Sequence, residues 1–160
     1  MNLEEKVVAK LIEEGLVITT AESCTGGMIG ATLVNVSGVS SVFHQGFITY
    51  ANEAKQDLLG VKKRTLKKYG AVSKQVAKQM AKGAAKRAKA DVAISVTGIA
   101  GPDGGTDEKP VGTVFMGCYY DGKVKVKEFH FEGNRTEIRE LTVKNALTLV
   151  YRCITKQNND

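Results

Sequence analysis

Segments with apolar residues at helical spacing alternate along the chain with short runs of β-branched residues. In residues 3–15 apolar positions recur every three or four residues between charges, which predicts an amphipathic helix that ends at Gly15. Residues 16–21 are a short β-branched run and predict a buried strand. A glycine pair then leads into residues 28–34, which predict a buried helix. Strand, tight turn and helix therefore follow one another directly.

The middle of the chain repeats this alternation. Residues 43–51 are rich in aromatic and β-branched residues and predict a second strand, followed by a short helix with Asn52 as its N-cap and Gly60 at its end. After a basic connector, residues 73–88 predict a long alanine-rich helix, and residues 92–96 predict a third strand.

The last third of the chain predicts a hairpin and a final helix. Residues 111–120 and 123–131 alternate in polarity and are joined by Asp-Gly, which is typical of a two-residue hairpin turn. Residues 134–137 are a capping box that opens the final helix, and residues 156–160 are expected to fray. Helices interspersed with five strands predict an α/β fold, a layered single domain over residues 1–155 with a mixed five-stranded sheet flanked by helices.

Composition narrows the possible chemistry. No apolar stretch reaches the about 18 residues of a membrane span, and the first residues include acids, so we expect a cytoplasmic protein that does not enter a membrane. The three cysteines contain no C-x-x-C pair, which argues against a disulfide framework or a zinc knuckle. With only His44 and His130, a histidine-based zinc site or a Ser-His-Asp triad is disfavoured. A hydrolase built on this chain needs another base.

Residues 21–27, which read AESCTGG, lie between a predicted strand and a predicted helix start. Free backbone N–H groups at a helix start favour an anion, so Thr25, Gly26 and Gly27 are candidates for binding one. The alternative is that Ser23 or Thr25 simply caps the helix. Cys24 is a weaker candidate nucleophile, because no histidine lies near it in the sequence.

Residues 97–105, which read TGIAGPDGG, follow a predicted strand at the end where open α/β sheets place ligands. Thr97, Gly98 and Gly101 are the candidate binding residues here. The segment is neither a Walker loop nor a dinucleotide fingerprint. The alternative is a flexible turn before the hairpin.

Lys55 falls in the first turn of a predicted helix, where the positive end of the helix dipole disfavours a cation. That position lowers the pKa of a lysine, and a neutral lysine can act as a general base toward a serine hydroxyl. The alternative is a solvated surface lysine.

A row of lysines follows one face of the alanine-rich helix at i, i+4 spacing. Together with the formal net charge of +6, the row suggests a surface for nucleic acid or polyphosphate. No aromatic residues interleave with it, so a solvated helix face is the alternative. The residues concerned are Lys74, Lys78, Lys82 and Lys86.

Residues 21–27, 46–55 and 97–114 together closely resemble the CinA C-terminal domain family, in the family's order and spacing. The resemblance implies a nicotinamide-nucleotide amidase, which hydrolyses nicotinamide mononucleotide to nicotinate mononucleotide and ammonia in pyridine nucleotide recycling. It implies a small-molecule pyridine nucleotide as partner, and neither a metal nor an organic cofactor.

The resemblance also implies site residues. The family's serine nucleophile, in the segment after the first Gly-Gly helix, is placed at Ser40, with Ser41 and Ser23 as alternatives. The family's tyrosine and lysine match Tyr50 and Lys55. Neutral Lys55 would take the serine proton, and Tyr50 would orient the pair or relay the proton.

Oxyanion donors are expected near the nucleophile and near residues 97–98. Two segments are alternative binding sites for the substrate phosphate: the helix start at residues 25–27 and the loop 98–105. Arg135 or Arg139 would clamp the phosphate there.

Two other functions stay open at this point. One is a regulatory or DNA-associated binding module. Only the lysine-rich helix supports it, so we do not expect nucleic acid as a partner. The other is a family member that has lost its activity. The alternation in residues 111–131 offers an edge strand, from which we expect a homo-oligomer.

Overall fold

The computed structural model describes residues 1–156, in which six α-helices, one 3-10 helix and five strands follow one another. In chain order they are α1 (Leu3–Glu14), β1 (Ile18–Glu22), α2 (Met28–Leu33), the 3-10 helix (Val39–Ser41), β2 (Phe47–Ile48), α3 (Asn52–Leu59), α4 (Lys63–Tyr69), α5 (Lys74–Ala88), β3 (Val92–Gly98), β4 (Thr113–Tyr120), β5 (Lys123–His130) and α6 (Arg135–Ile154).

The five strands form one mixed sheet in the order β2-β1-β3-β4-β5. β2, β1 and β3 are parallel, whereas β4 and β5 are antiparallel to their neighbours. The predicted α/β fold with a mixed five-stranded sheet is therefore confirmed. Because β1 and β3 are adjacent and parallel, their carboxyl ends meet at one edge, where such sheets commonly place a site.

Helices cover both faces of the sheet. One apolar cluster joins α1, α2 and α6 to alternate residues of β1 and β3, such as Ile18 and Ile94. The other joins α3, α4 and α5 to the residues that point the opposite way, such as Ala21 and Ala93. This alternation follows from the two-residue period of a strand, and it explains why both central strands are apolar on both faces.

α3 and α5 approach each other very closely. A Cβ atom added to Gly83 of α5 would lie 1.7 Å from the carbonyl oxygen of Leu59, the last residue of α3. Only a glycine fits at this contact. The contact fixes the position of α3, which carries Lys55, against the long helix behind the sheet.

Several local predictions are confirmed and others are wrong. Gly15 ends α1 in the left-handed conformation, and the capping box at Asn134 is formed. The basic connector is not irregular, since it contains α4. The N-cap of α3 is Ala51 and not Asn52, which is the first helical residue.

The second predicted strand is reduced to two residues. Within residues 1–156 no helix has both the length and the apolar character needed to span a membrane. Residues 157–160 of the predicted fraying tail lie outside the described residues.

Candidate active site

Lys55 is buried at the carboxyl edge of the sheet with only 1% of its surface exposed. Its Nζ atom lies 3.1 Å from Ser23 Oγ, 2.8 Å from the carbonyl oxygen of Thr49 and 3.1 Å from that of Tyr50. Burial lowers the pKa of Lys55 to about 8. The alternative of a solvated surface lysine is therefore wrong. The lowered pKa was expected, but its largest cause is desolvation, not the helix dipole.

The three contacts of Nζ suit a neutral amine as well as an ammonium ion. Two of the partners are carbonyl oxygens, which only accept hydrogen bonds, and the third is a hydroxyl, which can also donate. A neutral amine therefore donates its two N–H bonds to Thr49 and Tyr50 and turns its lone pair toward Ser23. The charged form donates a third hydrogen bond to the same serine. The nitrogen and oxygen atoms can therefore keep their positions when the proton is transferred.

Ser23 lies directly after β1, in the turn that leads to α2, and it is buried. Its place at the carboxyl end of a central strand brings it to Lys55 across the sheet edge, since β2 and the start of α3 lie beside β1. Among the three serines considered as nucleophile, Ser23 is the one hydrogen-bonded to Lys55.

The structure does not bring Ser40 or Ser41 to Lys55. Both are exposed on the 3-10 helix, and Ser41 Oγ donates to the carbonyl oxygen of Gly38. Just after them, Phe43 pairs with Ile18 at the amino end of β1. At about 3.3 Å per residue, that end lies roughly 16 Å from Ser23 along the strand. The Ser40–Lys55 pair expected from the sequence is therefore not formed, because the chain reaches β2 from the opposite end of the sheet.

Glu22, a residue that the sequence analysis did not single out, occupies the start of α2. Its carboxylate is 1% exposed and accepts four hydrogen bonds. The donors are the hydroxyl of Thr25 at 2.7 Å and the backbone N–H groups of Gly27, Ile29 and Gly30 at 3.2, 2.9 and 3.0 Å. The anion expected at this helix start is thus supplied by the chain itself, and an acid just before a Gly-Gly helix start is the signal that could have shown it.

This arrangement corrects the expectation of a phosphate site at residues 25–27. The Thr25 hydroxyl and the Gly27 N–H are taken by Glu22, and the Gly26 N–H donates to the carbonyl oxygen of Ser23. These hydrogen bonds make the turn rigid and hold Ser23 in place. The donors at residues 25–27 are therefore not available to a phosphate.

A cavity of about 180 Å³ opens onto the Ser23–Lys55 pair. Both apolar and polar residues line it. Its lining residues are Ser23, Cys24, Tyr50, Lys55, Ala71, Val72, Thr97, Gly98, Ala100 and Arg135.

Thr97 and Gly98, both predicted binding residues, line this cavity at the end of β3. Thr97 is buried, and its hydroxyl donates to the carbonyl oxygen of Ala71 at 2.9 Å, which ties the loop before α5 to the sheet. A Cβ atom on Gly98 would lie 2.6 Å from a methyl group of Val114, so a larger residue would displace the hairpin from the cavity wall.

Arg135 and Tyr50 lie together at the mouth of the cavity. The guanidinium of Arg135 donates to the carbonyl oxygen of Gly101 at 2.7 Å and to the hydroxyl of Tyr50 at 3.2 Å. Tyr50 therefore contacts Lys55 through its backbone carbonyl, whereas its hydroxyl faces Arg135 and not the Ser–Lys pair. The expected orienting role of the Tyr50 hydroxyl is not seen, and Gly101 acts by holding Arg135.

Arg139, one turn further along α6, contacts the turn behind Ser23. It donates to the carbonyl oxygens of Cys24 at 2.9 Å and Thr25 at 3.1 Å. The sequence left open which of the two arginines would clamp the substrate phosphate. Arg139 binds the turn that carries Ser23, whereas Arg135 lines the cavity.

Cys24 also lines the cavity, but its environment opposes reactivity. Burial raises the pKa of its thiol to about 11, and the thiolate is the nucleophilic form. Among residues 1–156, no three His, Cys, Asp or Glu side chains converge as a set of metal ligands.

The lysine-rich face of α5 lies apart from this cavity. Lys74, Lys78, Lys82 and Lys86 are all exposed, and the last three line an open groove that shares no residue with the Ser23–Lys55 cavity.

Comparison with known proteins identifies relatives over the whole fold. The family described as CinA C-terminal domain matches residues 1–154. A competence-damage inducible protein of Clostridium perfringens is 51% identical over 98% of this chain and 38% of its own length. A CinA-like protein of Kosmotoga olearia is 54% identical over 96% of this chain and 37% of its own length. The chain thus spans a little over a third of the length of these curated relatives.

Solved structures match along nearly their full length. The competence/damage inducible protein CihA from Agrobacterium tumefaciens is 44% identical with a TM-score of 0.89, covering 97% of both chains. The competence damage-inducible protein A (ComA) from Klebsiella pneumoniae is 35% identical with a TM-score of 0.93, covering 98% of this chain and 97% of that one. The chain belongs to the CinA C-terminal domain family.

Proposed function

We propose that this protein is an amidase that hydrolyses nicotinamide mononucleotide to nicotinate mononucleotide and ammonia, with Ser23 as nucleophile and Lys55 as general base. The observation that carries the proposal is the 3.1 Å contact between Ser23 Oγ and Nζ of a buried lysine whose pKa is lowered to about 8, at the wall of a cavity. A hydroxyl nucleophile needs an adjacent base, and a desolvated lysine provides one where histidine is absent.

The reaction follows from these two groups. Ser23 Oγ attacks the carboxamide carbon while its proton passes to neutral Lys55. The tetrahedral intermediate collapses as the C–N bond breaks, and the leaving nitrogen takes the proton from the Lys55 ammonium and departs as ammonia. Water then attacks the acyl-enzyme with Lys55 as base, and the carboxylate product leaves as Ser23 regains its proton.

Backbone geometry beside Ser23 supports stabilisation of the oxyanion. The N–H group of Cys24 follows the nucleophile directly, and Cys24 lines the cavity. We assign it to the developing negative charge. A backbone donor in this role typically contributes about 10²–10³ in rate.

The size of the cavity and its mouth suggest how the substrate lies. A volume of about 180 Å³ is smaller than the roughly 300 Å³ or more of a typical drug-sized site, so it suits the aromatic carboxamide and not a whole nucleotide. The ribose phosphate would then extend past the mouth, where Arg135 is exposed. Arginine is well matched to a phosphate by its charge and planar donors.

The test is ammonia release from nicotinamide mononucleotide by the purified protein, with the nucleotide product identified by chromatography. We expect turnover in the wild type and none above background in Lys55→Met, with Lys82→Met as the matched control on an exposed lysine. A chelator is included so that contaminating metallohydrolases do not contribute. Absence of ammonia release by folded wild-type protein would refute the proposal.

A second, non-catalytic function is favoured only by the exposed lysines of α5. A nucleic-acid binding module would retain its affinity in Ser23→Ala and lose it steeply with salt. An amidase would lose turnover in that variant and show only a mild salt effect. Measuring both properties on the same two proteins separates the two functions.

A further inference from the structure

A second cavity, of about 370 Å³, lies between the β4–β5 hairpin and the end of α6. It shares no residue with the Ser23–Lys55 cavity. Its lining combines both remaining cysteines of the chain with four basic side chains, one acidic side chain and a tyrosine: Cys118, Cys153, Lys123, Lys125, Arg152, Lys156, Asp121 and Tyr120.

The two thiols line the same cavity and differ in burial. Cys118 points from β4 into the core and is 1% exposed, whereas Cys153 on α6 is half-buried. The interaction between the two thiols raises the pKa of Cys118 and lowers that of Cys153, and the positive charges of Lys125 and Lys127 lower the pKa of Cys153 further. Cys153 is therefore the thiol of the pair that loses its proton more readily.

We propose that Cys153 and Cys118 form a dithiol site that reacts with small disulfides bearing carboxylate groups, with Cys153 as attacking thiol and Cys118 as resolving thiol. The basic side chains around the cavity attract the carboxylates, and the half-buried thiol is reached through the cavity. Because Cys118 lines the same cavity, it supplies the second sulfur. This inference does not depend on the amidase proposal.

The reaction balances in two exchanges. The Cys153 thiolate attacks one sulfur of the small disulfide, forming a mixed disulfide and releasing one small thiolate. The Cys118 sulfur, as it loses its proton, then attacks the Cys153 sulfur and releases the second small thiolate. The chain loses two electrons and two protons to form a Cys118–Cys153 disulfide, and the small disulfide is reduced to two thiols.

The test uses dithiobis(nitrobenzoate), a disulfide with two carboxylates whose released thiolate is coloured. We expect the folded wild type to release two thiolates per chain and to lose the mass of two hydrogens, with Cys24 still reduced because it is buried and its pKa is raised to about 11. Cys118→Ser should release one thiolate and keep a mixed disulfide on Cys153. Cys153→Ser should release none while folded, as checked by circular dichroism.

Two results would overturn the assignment of the thiols. One is a stable adduct with a single thiolate released by the wild type. The other is a reaction of Cys24, or of Cys153→Ser, at the rate of the wild type. A Cys118→Ala variant distinguishes loss of the resolving sulfur from a folding defect, since it should again stop at the mixed disulfide.

The role of the basic side chains is tested by comparing dithiobis(nitrobenzoate) with dithiodipyridine, a neutral disulfide. In a Lys123→Gln, Arg152→Gln double variant the ratio of the two rate constants, anionic over neutral, should fall about tenfold. Lys82→Gln, outside the cavity, should leave the ratio unchanged. An unchanged ratio in the double variant would refute the attraction of carboxylates to this cavity.

Discussion

The general base predicts how turnover depends on pH. If Lys55 must be neutral to accept the proton of Ser23, then kcat/KM follows its neutral fraction. A pKa of about 8 makes this fraction about 9% at pH 7, about one half at pH 8 and about 90% at pH 9. We therefore expect kcat/KM to rise about tenfold between pH 7 and pH 9, with its midpoint near pH 8.

The magnitude comes from the burial of the lysine. At the ordinary pKa of 10.5, the neutral fraction at pH 7 would be smaller by a factor of about 300. Nearly all of the neutral Lys55 present at pH 7 is therefore due to the desolvation of this residue at the sheet edge. Lys55→Arg keeps a positive charge but cannot lose its proton in this range, so it should be inactive at every pH.

The assay is initial ammonia release from nicotinamide mononucleotide at concentrations well below KM, in buffers of constant ionic strength from pH 6 to pH 10. Circular dichroism at each pH excludes unfolding as a cause of any change. A profile that is flat from pH 7 to pH 9, or a Lys55→Arg variant that retains turnover, would refute the assignment of Lys55 as base.

Four further results are expected. Because burial lowers the pKa of Lys55 on folding, the free energy of unfolding of the wild type relative to Lys55→Met should rise with pH between about 8 and 10.5, by up to about 1.4 kcal/mol per pH unit, in denaturant titrations. Glu22→Gln should lower the free energy of unfolding by roughly 2–4 kcal/mol, because the carboxylate accepts four hydrogen bonds at the start of α2. Gly83→Ala should destabilise the protein by about 3 kcal/mol, because its Cβ would overlap the carbonyl of Leu59. Arg135→Ala should lower kcat/KM for nicotinamide mononucleotide about 10- to 100-fold but change that for the riboside, which lacks the phosphate, far less.

Each of these results has a control or an opposite outcome. Stability differences that do not change with pH would contradict a lowered pKa of Lys55. Glu132→Gln, at an exposed acid, should leave thermal unfolding nearly unchanged. Replacing an ordinary glycine inside a helix with alanine raises the free energy of unfolding by about 1 kcal/mol. A Gly83→Ala variant that is more stable than the wild type would therefore contradict the close contact between α3 and α5. If Arg135→Ala lowers kcat/KM equally for the nucleotide and the riboside, Arg135 does not bind the substrate phosphate.

Most of the fold could be predicted from local patterns. The Asp-Gly turn fixes the β4–β5 hairpin, and both of its residues have positive φ, as the turn requires. The capping box at Asn134 marks the start of α6. The helix at residues 63–69 was missed because its residues are mostly basic and little of it is buried. This helix is stabilised by packing against α5, and its sequence has no periodic apolar pattern that would predict a helix.

The site could be predicted only in part, since its geometry depends on the path of the chain. Lys55 could be found because a lysine in the first turn of a helix is locally unfavourable. The choice between Ser23 and Ser40 could not be made from spacing, because it depends on which end of β1 each residue reaches. Likewise, the helix start at residues 25–27 offered an anion site, and the occupation of that site by Glu22 is a tertiary contact.

The most direct test of the central claim compares Ser23→Ala with Ser40→Ala for ammonia release from nicotinamide mononucleotide at pH 8. The two substitutions are chemically identical. Ser23 directly follows the carboxyl end of β1, whereas Ser40 lies on the 3-10 helix that precedes the pairing of Phe43 with the amino end of β1. We expect Ser23→Ala to lose turnover to background and Ser40→Ala to keep the wild-type rate. Full activity of folded Ser23→Ala, or its loss in Ser40→Ala alone, would contradict the Ser23–Lys55 pair as the catalytic centre.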